Sequence, residues 1–254
     1  MNRRTIIILA VAAAILIPAG ALFAQENVRM PIPKITFDIK EAATPKDVAL
    51  SMQVLFLLTI LTLAPAIIMM MTAFTRVVIV LDFVKRALSL QQMPPTQVIV
   101  GLAIFLTIFI MAPTFTEINE KALQPYLKGK INNEQFYDQG MAPLRQFMLR
   151  NTRTRDIALF IDLAKIEKPR TEAEVPTYCL IPAFMISELK KAFEIGVYLF
   201  IPFIVIDMIV ASALMAMGMI MLPPVMISLP FKLVLFILVD GWNLLVYELV
   251  KSFR

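Results

Sequence analysis

Apolar positions along this chain fall into long blocks. Four of them follow residue 47: Val48–Met71, Val98–Phe115, Ile195–Met217 and Val225–Tyr247. At about 1.5 Å of rise per residue, each approaches or exceeds the length needed to cross a bilayer core. A shorter block, Ile6–Ile17, follows Arg3 and Arg4 and precedes Pro18 and the small residues Ala19, Gly20 and Ala21. It is too short to span, and the pattern predicts a cleavable signal peptide over 1–24, cut after Ala21 or Ala24. An uncleaved anchor is the rival reading; either way the following residues lie outside the cytoplasm.

The expected fold is all-α: a polytopic membrane protein with four hydrophobic segments in two proline-broken hairpins. After the signal, 25–47 is an outer N-terminal segment with three prolines. Residues 48–115 form the first hairpin, with Pro65 and Pro113 predicting kinks or breaks. Between its arms, Phe74–Gln97 carries Arg76, Lys85 and Arg86 against Asp82, as an inner-side loop should. Its run Val77–Leu81 predicts packing at the membrane surface or a continued helix. Residues 116–191 are the hydrophilic part and read as helical and extracytoplasmic. Thr116–Lys191 holds 12 Lys/Arg and 10 Asp/Glu, and so long a segment escapes the positive-inside rule. Asn133 and Thr154 are expected helix caps, and Pro182 an expected first-turn residue of the third span. Residues 192–254 form the second hairpin. Straight spans and broken hairpins that need partners are both consistent with the prolines.

Composition narrows the function. Hydrophobic residues make up 59% of the chain and charged residues 17%, outside the soluble norm. The net charge of +5 is spread without a compact basic run, so no nucleic-acid partner is expected. His is absent and Cys occurs once, at Cys179. Zinc, haem, intrachain disulfides and His-dependent catalysis are thereby excluded, and no cofactor, metal or enzyme activity is expected.

Charges inside the second hairpin invite explanation, because a charge in a membrane segment needs a partner or water. With the turn centred on Pro223, Asp207 lies about 24 Å from it, Asp240 about 25 Å and Lys232 about 13 Å. On this count Asp207 and Lys232 miss each other by roughly 10 Å within one chain, and a staggered neighbouring copy would close the gap. The alternatives are other structural pairing or snorkelling, and a proton or cation relay through Asp207 and a buried Asp240.

The turn itself is rich in methionine. Five of the chain's 17 Met residues fall in Met215–Met226, beside Gly218 and Pro223-Pro224. Met is flexible and polarizable, so such a turn can seal around different shapes; hydrophobic filler is the bland alternative.

Several motifs then resemble the FliP family: Phe74-Thr-Arg-Val-Val-Ile-Val80, Gln91-Gln-Met-Pro-Pro95, Pro182-Ala-Phe-Met-Ile-Ser-Glu-Leu189, Phe203-Ile-Val-Ile-Asp-Met208, Met217-Gly-Met-Ile-Met-Leu-Pro-Pro224 and Leu238-Val-Asp-Gly-Trp242. The resemblance covers about residues 46–254. The signal peptide favours the flagellar branch over the related injectisome SctR family. FliP is a core export-gate protein of flagellar type III secretion, so the resemblance implies a pore subunit of the inner membrane and flagellar basal body. It implies five copies in a right-handed helical ring with FliQ and FliR, joined by FlhB and aided by FliO. It implies passage of unfolded rod, hook and filament proteins, with the helices held largely above the bilayer plane. By the same resemblance the gasket maps to Met219, Ile220 and Met221, with Met217 beside it. Ile220 departs from the family's methionine there and is a stiffer residue. Inter-subunit charge contacts map to Arg153, Asp207 and Lys232.

Overall fold

The computed structural model describes residues 45–90, 93–219 and 221–253. The expected signal peptide, its cleavage site and nearly all of the outer segment lie outside the described residues, as does Ile220. The chain divides into two units, 1–53 and 54–254. Only 45–53 of the first are described, as the opening turns of a helix. The second unit holds the remaining helices and the core.

Among the described residues every regular element is helical. Helix α1 spans Pro45–Met70, α2 Phe74–Ala87 and α3 Thr96–Ile118, which runs on through a π-turn, Asn119–Leu123, into the short α4, Gln124–Leu127. Helices α5, Asn133–Asn151, and α6, Thr154–Leu163, follow. Helix α7 covers Thr177–Ala216, α8 Pro224–Leu238 and α9 Gly241–Lys251. Among the described residues three helices are long and apolar enough to cross a membrane, or four if the bent pair α8–α9 counts as one span.

The centre of the fold is α2. Val77, Val80, Leu81, Val84 and Ala87 are buried at three- and four-residue spacing, the stripe of a helix with one core face. They pack on α7 and α3. The run Val77–Leu81 therefore belongs to a buried core helix, not to a surface loop. Helix α3 adds a narrow stripe of Ile99, Ala103, Thr107 and Met111. Helix α1 contributes no such stripe: from Val54 to Met70 every side chain but Ala64 and Ala66 is exposed. A helix that is apolar all round and uncovered suits lipid or a larger assembly.

The prolines do not break the helices. Helices α1, α3, α7 and α8 run through Pro65, Pro113, Pro182 and Pro202, and Pro230 respectively. Each proline removes one backbone donor, and the bonds on either side keep these long helices intact. The breaks come elsewhere. The fourth apolar block is two helices, α8 and α9, bent by 65° at Val239-Asp240. Asp240 takes a left-handed conformation there, φ 50°. Next to it, a Cβ on Gly241 would sit 2.3 Å from the Phe236 ring, so the tight bend requires glycine. The third block is the second half of α7, forty residues long and starting at Thr177 rather than near Pro182.

Two helix starts fall one residue from expectation. Asn132, not Asn133, caps α5: its side chain accepts from the Gln135 amide while Gln135 accepts from the Asn132 amide. Helix α6 has Arg153 at its cap position and Thr154 as its first residue.

Candidate functional site

The α7–α8 hairpin carries the methionine turn. Helix α7 ends in a Schellman motif. Gly218, φ 74°, supplies the left-handed residue, its N–H donates to Met215 O, and Met219 N–H donates to Leu214 O. Pro224 then opens α8 at the position where a missing donor costs nothing. Between these stops the described side chains of the turn face outward. Met221 is 98% exposed, and Met217 and Met219 are exposed as well.

The base of the hairpin is anchored by a polar cluster. Lys232 is buried, and its Nζ donates to Asp207 Oδ2 at 2.6 Å, to Ser89 Oγ at 2.8 Å and to Ala87 O at 3.4 Å. The three donors of the ammonium are thus all used. Ser228, one turn earlier on α8, donates to Asp207 Oδ1 at 2.5 Å. The cluster joins α7, α8 and the end of α2, where Ser89 sits left-handed with φ 59°.

This corrects the expected stagger. The turn occupies 217–223, so levels should be counted from the two helix ends. Asp207 lies nine residues before Ala216 and Lys232 eight after Pro224, about 13.5 Å and 12 Å along their helices. The two meet at one level within the chain, and Lys232 has no donor left for a neighbouring copy. Asp240 is corrected too. It is exposed at the α8–α9 bend, where its carboxylate accepts from Asn243 Nδ2 at 3.2 Å. The two carboxylates have different partners, and nothing brings them together as a relay would need.

Arg153, at the cap of α6, packs beside the first half of α7. Its guanidinium donates to Glu194 Oε2 at 2.8 Å on the protein surface. Its backbone N–H donates to Ser187 Oγ at 3.0 Å, and Ser187 in turn donates to buried Asp156 at 2.6 Å.

The most buried charges were missed by sequence reasoning. Arg76 of α2 and Glu188 of α7 are both wholly buried and form a two-pronged ion pair, with Arg76 Nε 2.8 Å from Glu188 Oε2. The other donors go to Ser252 O at 2.9 Å, Ser252 Oγ at 2.8 Å and Asn151 Oδ1 at 3.3 Å. All five guanidinium N–H groups are satisfied, as burial of a charge demands. The available signal was a single cation inside the apolar run 74–81 and a single acid inside 180–189. Among the described residues no group of acids and cysteine is arranged to hold a metal.

A model of the FliP family matches residues 57–249. The chain belongs to the FliP family. It is similar to the flagellar biosynthetic protein FliP of Treponema pallidum (strain Nichols), 57% identical over 224 residues, 87% of this chain and 83% of that protein. The flagellar biosynthetic protein FliP of Bacillus subtilis (strain 168) is 53% identical over 216 residues, 85% of this chain and 98% of that protein. That of Aquifex aeolicus (strain VF5) is 44% identical over 242 residues, 94% and 97% of the two chains. FliP family membership makes the chain a component of the flagellar export apparatus. The matched region contains both Arg76 and Glu188, the methionine turn and the Lys232 anchor.

Proposed function

We propose that this chain is a core pore subunit of the flagellar protein export gate. Five copies form a helical ring with FliQ and FliR in the bacterial inner membrane, with FlhB attached and FliO assisting assembly. Unfolded rod, hook and filament proteins pass through the ring, and the signal peptide directs residues 25–47 and 116–191 to the outer side. Lipid or neighbouring subunits cover the apolar faces. The chain contributes passage and a seal, not catalysis.

One observation carries this reading: the methionine turn is exposed while its base is locked. Apolar side chains held out on a rigid hairpin require a partner surface, and copies in a ring give each turn its neighbours. Met217, Met219, Ile220 and Met221 form the gasket, because thioether side chains repack around a changing cargo. An open apolar groove of about 400 Å³ beside the turn, lined by Val210, Ala213, Ile227 and Phe231 among others, extends the uncovered surface. Arg153 serves contacts between copies, since its ion pair lies at the surface. Asp207 and Lys232 serve the hairpin from within.

Gly substitution at Met219, Ile220 and Met221 tests the gasket. Assembled complexes carrying it should leak ions in bilayer recordings. Unchanged conductance in a fully assembled complex would overturn the gasket assignment.

A further inference from the structure

Residues 252 and 253 come after the last described helix, yet they complete the ion pair at the fold's centre. Ser252 is exposed and offers both its carbonyl and hydroxyl oxygens to Arg76 Nη1. The Phe253 ring lies against the same guanidinium, 3.7 Å from Cζ to the ring centroid. Phe253 also stacks with Phe147 of α5, centroids 6.1 Å apart. Between solvent and a wholly buried cation there is thus a two-residue cover at the end of α9.

The pair it covers is connected outward. Arg76 also holds Asn151 Oδ1, and Lys191 Nζ donates to Asn151 O at 2.8 Å. Asn151 ends α5 two residues before Arg153, and Ser187, which holds the Arg153 backbone, neighbours Glu188. A change at the cover therefore reaches the Arg153 segment through Arg76, Asn151 and Glu188.

We propose that Ser252 and Phe253 form a strap over Arg76–Glu188, and that its closure positions the Asn151–Arg153 segment for contact between copies. Phe253 acts as a positioning residue through its ring face, which attracts the guanidinium, rather than by filling space. The second half of the proposal rests on the reading that Arg153 lies at a copy-to-copy contact. The strap itself does not. Since the core cation lacks both Nη1 acceptors until residue 252 is in place, a chain must be completed to this point before its centre is satisfied.

Three readouts on the full-length chain test this. First, Cys placed at both Phe147 and Phe253 should be joined within single chains by a short bifunctional thiol crosslinker that spans the gap left by the two stacked rings. A failure to crosslink, or crosslinks only between chains, would overturn the strap. Second, Phe253→Leu keeps apolar bulk and loses the ring, while Phe253→Trp keeps a ring face. Hydrogen exchange at the 151–153 amides should rise about fivefold in the Leu variant and stay near wild type in the Trp variant. Equal exchange in wild type and the Leu variant would reduce Phe253 to filler. Third, the share of chain recovered in the complex with FliQ and FliR should fall in the Leu variant and be restored by Trp. Altered exchange with undiminished assembly would remove the link to Arg153. Failure of the pore reading would show differently, as a wild-type chain that forms no such complex.

Discussion

Lys232 Nζ lies 2.6 Å from Asp207 Oδ2 within one chain, at the foot of the hairpin that carries the methionine turn. The lysine side chain is almost fully enclosed, while the aspartate is about one-third exposed. Removing either partner strands the other, but unequally. Asp207→Ala leaves a buried ammonium with two neutral acceptors, whereas Lys232→Ala leaves a carboxylate that still meets water and Ser228.

Asp207→Ala should therefore destabilise the detergent-solubilised chain by about 3 kcal/mol, near the lower end for a broken buried pair. Lys232→Ala should cost less through charge, though it also opens a cavity. The combined Asp207→Ala, Lys232→Ala variant should be milder than the two single changes added together. Thermal midpoints across the four proteins measure this. Additive losses would mean that the pair does not act as a unit.

Ser89 sets two effects against each other. Its φ of 59° favours glycine, and relieving it is worth about 1 kcal/mol. Its hydroxyl accepts from Lys232, and a hydrogen bond to a charged group is worth about 1.5–3 kcal/mol. The bond should win, giving the stability order Ser above Gly above Ala at position 89. A glycine variant more stable than wild type would show that the serine is only a turn residue.

Gly196 lies under the Phe83 ring, where an added Cβ would meet Cδ2 at 2.5 Å. Phe83 is itself held edge-on by Phe193 and Phe200. Gly196→Ala gains about 1 kcal/mol of helix propensity but must push α2 from α7, and overpacking typically costs about 1–3 kcal/mol. A net loss is expected, and adding Phe83→Leu should recover part of it. Chemical denaturation of the single and double variants decides. A stabilised Gly196→Ala would contradict the packing.

Arg76→Lys keeps the charge but supplies three donors where five are used. Glu188, Asn151 and Ser252 cannot all be served, so a loss of about 2–4 kcal/mol is expected, close to that of breaking a buried pair outright. A near-neutral Arg76→Lys would show that point charge alone suffices there.

The sequence carried much of this fold in its apolar blocks and little of its centre. The helices at Val98–Phe115 and Ile195–Met217 were legible because runs of apolar residues have few other outcomes. The turn was legible because Gly218 and Pro223-Pro224 are local stop and start signals. The level of Asp207 against Lys232 was misjudged because it depends on turn length: counting from Pro223 ignored seven residues, 217–223, that belong to neither helix. Arg76 and Glu188 are 112 residues apart, and no local pattern pairs them. The start of α7 was hidden by Pro182, which reads as a first-turn residue but lies inside the helix. The bend at Asp240 was hidden by the apolar residues around it, although Asp240-Gly241 is a turn dipeptide.

The central claim is that this chain is built to assemble around a pore, and subunit stoichiometry tests it most directly. Native mass measurement of the complex purified with FliQ and FliR should find five copies of this chain together with both partners. A chain recovered alone as a stable monomer, with neither partner bound, would contradict the account.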